Sequence, residues 1–495
     1  MSLLSRLQRR AVGQVAAYGV ATGLAAVLTL MQTRVLWRAL TPVDFGTWAL
    51  IDPLLLPLAG LTLFGIDQAV FKQLHVDRVP FRAALGSLLA TTLPASAACL
   101  LLIAAIGRCI LHLPWTEALL STIAGEALVL LLQTACRAAG SASGFAALVL
   151  SRNLLYLSVL LVVHYGARDG GARDGLMPVG SAFLARGACV ILVSLLAVAA
   201  LRPLPRIDWG RYRDALRYGF PLLATSFIYS TSDMVDRWLL AHFSGVVAVG
   251  IYTLHLKAAA ILGQAIVVPF GLWFPGERFR RMDAPDHGHR FFRRVAAGLT
   301  VACVHLAGAL WLARGVVLGL IAPGITASPL ILACCLGSVM GLAVSHAVNV
   351  GLLLPGQTGK NVWCTGAAIA ASGLACTILV PLFGAEGAAL GRITGSAVLV
   401  AVTAWWSWRV LPVPLPFIGM TLFCATAAPA AVLIDHAISH ALPGGGRLAL
   451  CAALLAWTLA AAALGGLLWL SLSWRRGPAL PAAPVAVQPL GTPAG

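Results

Sequence analysis

The chain has 495 residues, of which 60% are hydrophobic and only 10% are charged, and its mean hydropathy is +0.90. This composition excludes an ordinary soluble globular protein and predicts a polytopic membrane protein. The net charge of +17 would suggest a nucleic-acid partner in a soluble protein. Because most of the Arg residues fall in short loops between apolar stretches, we attribute the charge to the positive-inside rule and expect no nucleic-acid partner.

Apolar runs of about 20 residues, long enough to cross a bilayer, recur along the chain. The first follows Arg9 and Arg10 and continues to about Met31. That run exceeds the apolar region of a cleavable signal peptide, so we interpret it as a retained first helix. The same pattern predicts an all-α fold of about fourteen transmembrane helices, at 11–33, 44–68, 83–107, 117–136, 144–165, 177–200, 217–241, 247–275, 295–313, 328–353, 362–381, 387–408, 416–436 and 447–472.

A basic linker over Leu201–Asp214 separates the sixth and seventh predicted helices, and the sequences on its two sides look duplicated. Tyr18-Gly19 recurs as Tyr218-Gly219, and Phe45-Gly46-Thr47-Trp48 recurs as Val249-Gly250-Ile251-Tyr252. Many secondary transporters are built from such repeats, with the binding site between them. We therefore predict two pseudo-symmetric six-helix lobes over residues 1–205 and 206–410, two further helices over 411–476 and a disordered tail over 477–495.

Basic residues are distributed unevenly between the two sets of loops. If the N-terminus is inside, the inner loops contain the clusters 202–213 and 278–294, whereas the outer loops contain scattered arginines such as Arg108 and Arg314. The positive-inside rule then predicts that both termini are cytoplasmic.

Charged residues inside the predicted spans differ in depth. Arg237 lies near the outer end of its helix, where its side chain can reach the interface, and Asp233 lies one turn earlier on the same face. We predict a structural ion pair between the two, with a ligand role for Arg237 left open.

Three basic residues lie deeper, roughly a third to a half of the way through their spans: Arg152, Arg186 and Lys257. Charge at that depth is costly, so it usually serves a polar pathway. Because these residues come from both predicted lobes, we predict a shared cationic cavity that binds a diphosphate, which guanidinium groups bind bidentately. The alternative is a set of separate ion pairs, such as Glu126 with Arg152 on neighbouring helices.

Acidic residues at comparable depth are the candidates for ion coupling. Asp52 precedes Pro53, and Pro57 follows, so the hydrogen-bond ladder of this helix must be interrupted beside a carboxylate. Interrupted helices expose carbonyls that can hold a coupling cation. We predict that Asp52 and Glu126 bind a coupling proton or sodium ion; the alternative is a kinked helix with a satisfied carboxylate.

Motifs for catalysis or metal binding are missing from the sequence. It has 11 cysteines without a C-x-x-C pair, and no Walker A loop. We therefore expect no enzyme activity, cofactor or metal site. Histidines near the spans lack ligand spacing and are interpreted as core or interface residues: His164, His255, His305 and His346.

Three segments resemble one family when they are taken in order. They are Arg38-Ala39-Leu40-Thr41-Pro42-x-x-Phe45-Gly46 with Phe64-Gly65-Ile66, then Tyr218-Gly219-x-Pro221 with Asp236-Arg237 and Val249-Gly250-Ile251-Tyr252, and finally Pro381–Ala389. Together they resemble the polysaccharide flippases of the superfamily that also contains lipid II flippases and multidrug extruders.

The resemblance implies that the protein moves a polyisoprenyl-diphosphate-linked oligosaccharide across a bacterial inner membrane by alternating access. It also implies membrane lipids, a polysaccharide polymerase and a chain-length regulator as partners. One alternative is a drug or small-cation extruder of the same superfamily, although such a protein should line its cavity with acids. Another is a non-transporting membrane subunit of a polysaccharide assembly complex.

Overall fold

The computed structural model describes residues 3–75, 77–110, 112, 115–169, 177–204, 208–232, 234–271, 273–274, 277, 289–353, 358–410, 415–442 and 446–474. Over these residues the regular structure is entirely helical. Thirteen of the described helices are long and apolar enough to cross a membrane. The prediction of an all-α polytopic membrane protein is therefore confirmed.

Among the described residues, seven helices precede the central linker. Six of them are membrane spans, and the short α3 connects the second span to the third. They are α1 (Leu3–Ala39), α2 (Pro42–Thr62), α3 (Ile66–His75), α4 (Phe81–Ala105, extended by a π-helical turn over Ile106–Ile110), α5 (Thr116–Ala138), α6 (Ala142–Asp169) and α7 (Val179–Leu201).

The helices after the linker include seven spans and several shorter elements. They are α8 (Trp209–Ser232), α9 (Val235–Ser244), α10 (Val246–Leu262, extended by a π-helical turn over Gly263–Val267), α11 (His289–Leu312), α12 (Arg314–Ile321), α13 (Pro329–Val348), α14 (Val350–Leu353), α15 (Thr358–Phe383), α16 (Ala385–Val410), α17 (Phe417–Ala441) and α18 (Gly446–Trp474).

The single helix expected over 217–241 is instead two helices, α8 and α9. The sequence at the junction contains Ser230, Thr231, Ser232 and Asp233, and residue 233 lies outside the described residues. Ser, Thr and Asp side chains compete for backbone hydrogen bonds, which lowers their preference for the helix interior. α8 has 24 residues but is too polar to count among the thirteen long apolar spans of the described helices, and α9 has only 10 residues.

α2 continues through both of its internal prolines. Its first turn is fixed by Thr41, whose side-chain oxygen accepts a hydrogen bond from the Asp44 backbone N–H at 3.0 Å. Pro53 and Pro57 each remove one backbone donor without ending the helix, which reaches Thr62. The expected interruption is therefore a local loss of hydrogen bonds within a continuous helix.

The two halves of the chain approach each other at glycines, most of which belong to the duplicated motifs. A Cβ atom on Gly46 of α2 would overlap the backbone carbonyl of Val246 on α10, and Phe45 packs against Gly250. A Cβ atom on Gly65 would likewise overlap the backbone of Gly219 on α8. α2 and α10 therefore pack at backbone contact distance, and the two copies of one predicted repeat motif face each other there. The division into two lobes stays a prediction.

Candidate functional site

The five deep charged residues singled out in the sequence line one cavity. This cavity has a volume of about 120 Å³ and is lined by side chains of α1, α2, α5, α6, α7 and α10. Asp52 lies on α2, Glu126 on α5, Arg152 on α6, Arg186 on α7 and Lys257 on α10. Because α10 follows the central linker, the cavity contains residues from both halves of the chain.

Glu126 accepts hydrogen bonds from two arginines. Its carboxylate lies 2.8 Å from Arg152 Nη1, 2.7 Å from Arg186 Nη2 and 3.0 Å from Arg186 Nε. Glu126 is only 4% exposed, so its charge depends on these donors because buried carboxylates need paired cations.

Asp52 is the second acidic centre, and Arg186 connects it to the first. Arg186 Nη1 donates to Asp52 Oδ1 at 2.5 Å, and Lys257 Nζ donates to Asp52 Oδ2 at 3.2 Å. The Lys257 ammonium also lies 5.4 Å from the centre of the Trp48 ring, within the range of a cation–π interaction. The five residues therefore form one series in which each contacts the next: Arg152, Glu126, Arg186, Asp52 and Lys257.

The two interpretations left open by the sequence both describe part of this arrangement. The Glu126–Arg152 pair is present, but it belongs to a continuous network that lines a cavity. Three basic and two acidic residues leave one net positive charge. Because Arg186 contacts both carboxylates, removal of any one charged side chain changes the electrostatic interactions of the remaining four.

Neutral polar side chains complete the lining, and sequence reasoning missed them. Gln32 of α1 donates from Nε2 to the Asn153 carbonyl oxygen at 2.8 Å, and the Tyr156 hydroxyl donates to the Ala182 carbonyl oxygen at 3.2 Å. Thr29 and Thr33 also face the cavity. The spacing of Arg152, Asn153 and Tyr156 along α6 is the signal that could have identified part of this set, since residues three and four apart share a helix face.

A second buried charge cluster lies in the second half of the chain. Asp236 is 1% exposed and accepts hydrogen bonds from the Tyr252 hydroxyl at 2.6 Å and from Arg392 Nη1 at 3.0 Å. Sequence reasoning gave no role to Arg392, although an arginine inside the apolar run of α16 was a visible signal. This cluster holds α9, α10 and α16 together.

Arg237 makes a contact that the sequence did not indicate. Its Nη1 lies 3.3 Å from the carbonyl oxygen of Ala49 on α2. The predicted ion pair with Asp233 cannot be compared with the structure, because Asp233 lies outside the described residues. That pair stays a prediction.

The histidine of α10 is held in a structural position. His255 Nδ1 lies 2.9 Å from the Ile251 carbonyl oxygen, and its Nε2 accepts a hydrogen bond from the Ser328 N–H at 3.1 Å. The first contact requires a proton on Nδ1 and the second a lone pair on Nε2, so the ring is neutral here. Within the described ranges, no group of three or more His, Cys, Asp or Glu residues could hold a metal ion.

Many secondary transporters share this arrangement of membrane-spanning helices around a polar site between two halves of the chain. The chain belongs to the polysaccharide biosynthesis protein family, whose sequence profile matches residues 12–276. A comparison with curated proteins gave no significant match. The family match and the thirteen apolar spans among the described helices agree on a multi-pass membrane protein of polysaccharide biosynthesis.

Solved transporters share the fold. The lipid II flippase MurJ in an inward closed conformation is 12% identical, with 92% of this chain and 99% of that chain covered and a TM-score of 0.67. An inward-facing MATE multidrug transporter of the MOP superfamily is 14% identical, with 79% and 97% covered and a TM-score of 0.57. An outward-facing MATE multidrug transporter of the MOP superfamily is 15% identical, with 80% and 95% covered and a TM-score of 0.53.

Proposed function

We propose that this protein flips a polyisoprenyl-diphosphate-linked oligosaccharide from the cytoplasmic to the periplasmic leaflet for cell-surface polysaccharide synthesis. The observation that carries the proposal is the convergence of Arg152, Arg186 and Lys257 on one cavity lined by helices from both halves of the chain. A diphosphate offers several anionic oxygens, which match the forked donors of two guanidinium groups and the point charge of an ammonium. Membership of the polysaccharide biosynthesis family supports a lipid-linked sugar as the substrate.

Binding of the diphosphate would replace two carboxylates by phosphate oxygens as the partners of the three basic residues. In the structure, Asp52 and Glu126 neutralise most of the charge of the three basic residues. A diphosphate that takes the same donors leaves the two carboxylates without their partners in a buried site. A buried carboxylate without a partner is costly unless it binds a proton or another cation. We therefore assign coupling-ion binding to Asp52 and Glu126.

The size of the cavity requires a conformational change during transport. Its volume of about 120 Å³ is well below the roughly 300–1,000 Å³ of ordinary ligand sites. An oligosaccharide therefore enters only after the helices around the cavity separate. Alternating separation of the two halves on opposite sides of the membrane would open this site to each side in turn.

We further assign the protein to a bacterial inner membrane with both termini in the cytoplasm. The excess of basic residues in alternate loops supports this orientation. A polysaccharide polymerase and a chain-length regulator are the expected partners, because a flipped lipid-linked repeat must be consumed on the outer side.

The experiment that tests the function measures export of lipid-linked sugar. The cells have lost their own copy of the protein and express either wild type or a variant from a plasmid. We expect wild type to restore export and the triple variant Arg152→Ala, Arg186→Ala, Lys257→Ala to fail at equal membrane abundance. Uptake of a cationic dye by the same cells tests the multidrug alternative. Normal export by the triple variant would refute the cationic site, and dye extrusion without sugar export would favour the cation extruder.

A further inference from the structure

α2 contains a backbone acceptor that its own helix cannot satisfy. In an α-helix the N–H of each residue donates to the carbonyl four residues earlier, and Pro53 has no N–H. The carbonyl of Ala49 therefore lacks its helical donor, although α2 continues from Pro42 to Thr62. Ala49 is 0% exposed, so its carbonyl needs a donor from elsewhere in the protein.

Arg237 of α9 supplies that donor. Its Nη1 lies 3.3 Å from the Ala49 carbonyl oxygen, and the contact joins residues 188 positions apart in the chain. Arg237 is 8% exposed, so its guanidinium is held inside the protein at this contact. A hydrogen bond from a charged donor is stronger than one between neutral groups, which suits a carbonyl that would otherwise be orphaned.

The other side of α9 is attached to the second half of the chain. Asp236, adjacent to Arg237, accepts from Tyr252 of α10 at 2.6 Å and from Arg392 of α16 at 3.0 Å. Two consecutive residues of the short helix α9 thus contact different halves of the chain. Asp236 fixes α9 to the second half, and Arg237 extends from that anchor to α2 in the first half.

The Arg237–Ala49 contact lies next to the charged site. Asp52 follows Ala49 by three residues, a rise of about 4.5 Å along α2. The turn between them has lost the hydrogen bond that would normally fix it, because that bond belonged to Pro53. The direction in which Asp52 points therefore depends on whatever holds the Ala49 carbonyl.

We propose that Arg237 is a positioning residue that binds the Ala49 carbonyl freed by Pro53, and so aligns Asp52 with Arg186 and Lys257. Pro53 leaves the Ala49 carbonyl without its helical donor, and Arg237 donates to that carbonyl, so the effect of each residue depends on the other. Separation of α9 from α2 breaks the contact and releases Asp52 from its two cationic partners. Only the consequence of this alignment for transport rests on the proposed function. The alignment of Asp52 itself does not involve the substrate.

The test is labelling of the Asp52 carboxylate in purified protein by dicyclohexylcarbodiimide, read by mass spectrometry of the α2 peptide. This apolar reagent reacts with a protonated carboxylic acid, and an aspartate held by Arg186 and Lys257 stays ionised and protected. We expect Arg237→Met to raise the labelling of Asp52 about tenfold, as loss of one charge-assisted hydrogen bond implies. Arg237→Lys, which keeps a charged donor, should raise it much less.

A double-mutant cycle with Pro53 isolates the contact. Pro53→Ala restores an N–H for the Ala49 carbonyl and removes the acceptor from Arg237, while every charge is kept. We expect this variant to label close to wild type, because the restored N–H holds the Ala49 carbonyl, and the double variant to label no more than Pro53→Ala alone. Pro57→Ala is the matched control, because the carbonyl that Pro57 frees belongs to Pro53, so Arg237→Met should keep its full effect in that background.

Two results would overturn the inference: equal labelling of Asp52 in wild type and Arg237→Met, or a full effect of Arg237→Met in the Pro53→Ala background. If Arg237→Met alone is not inserted, the double variant keeps the assay decisive, because the restored N–H should return it to the membrane with the labelling of Pro53→Ala. Because labelling requires no substrate, loss of sugar export in every assay would refute the proposed function and leave this inference standing.

Discussion

Lys257 on α10 donates to Asp52 on α2 across 3.2 Å, and the two residues are 205 positions apart in sequence. The contact therefore joins the two halves of the chain. Both side chains are mostly shielded from solvent, with exposed fractions of 20% and 15%. The pair therefore lies in surroundings where charge interactions are stronger than in water. Separation of α2 from α10 must break it, so the contact links the charge state of the cavity to the arrangement of the helices.

Substitution of Lys257 tests whether the charge or the shape of this residue matters. We expect Lys257→Arg to retain much of the export of lipid-linked sugar. Lys257→Ala should lose roughly ten- to a hundredfold, because a charge-assisted hydrogen bond contributes about 1.5–3 kcal/mol. Export and membrane abundance are measured together. If alanine lowers only abundance, and Asp52→Asn restores that abundance, Lys257 is a structural partner instead of a substrate ligand.

Neutralising Asp52 tests ion coupling. We expect Asp52→Asn to abolish transport driven by an ion gradient while the protein stays in the membrane at a normal level, because asparagine cannot bind the coupling proton or ion. The measurement is sugar-lipid flipping in vesicles with and without an imposed proton or sodium gradient. Undiminished gradient-dependent flipping by this variant would remove Asp52 from the mechanism.

Glu126 should contribute most to the stability of the cavity, since it accepts from both Arg152 and Arg186. Glu126→Gln leaves Arg152 without its carboxylate and Arg186 with Asp52 alone, and breaking a buried pair costs up to about 3–5 kcal/mol. The midpoint of thermal unfolding in detergent should therefore fall clearly. Adding Arg152→Gln should recover part of the loss, and an unchanged midpoint for Glu126→Gln alone would contradict the network.

The close packing of α2 on α10 can be tested at one glycine. Gly46→Ala places a methyl group against the Val246 carbonyl, so α10 must shift, and we expect lower thermal stability and lower transport. Gly23→Ala is the control on α1, because a Cβ atom there meets nothing within 4 Å. The control should keep or slightly raise stability, since alanine favours helix over glycine by about 1 kcal/mol. Equal behaviour of the two variants would show that the α2–α10 contact is not close.

The loop charges predict a topology with both termini in the cytoplasm, and this prediction can be checked directly. We expect a reporter enzyme that is active only in the periplasm to be inactive when fused after Gly495, and a cytoplasmic reporter at the same place to be active. The opposite pattern would place the C-terminus outside and reverse the assignment of inner and outer loops.

The sequence by itself determined the class of this protein, most of its spans and the identity of the five charged residues in the cavity. These are local properties: span length follows from the run of apolar residues, and a charge inside such a run is visible without a structure. It failed where the local signal was mixed, as at Ser230–Asp233, where one predicted span is two helices.

Only the tertiary structure decided how the charges are paired. The sequence offered Glu126 with Arg152 as one separate pair, whereas Arg186 bridges Glu126 and Asp52 and brings Lys257 into the same network. Partner choice depends on the rotation of each helix about its axis and on where helices cross, and the spacing of residues along one helix fixes neither. For the same reason the sequence showed that Pro53 frees a carbonyl, but only the packing of α9 on α2 showed that Arg237 binds it.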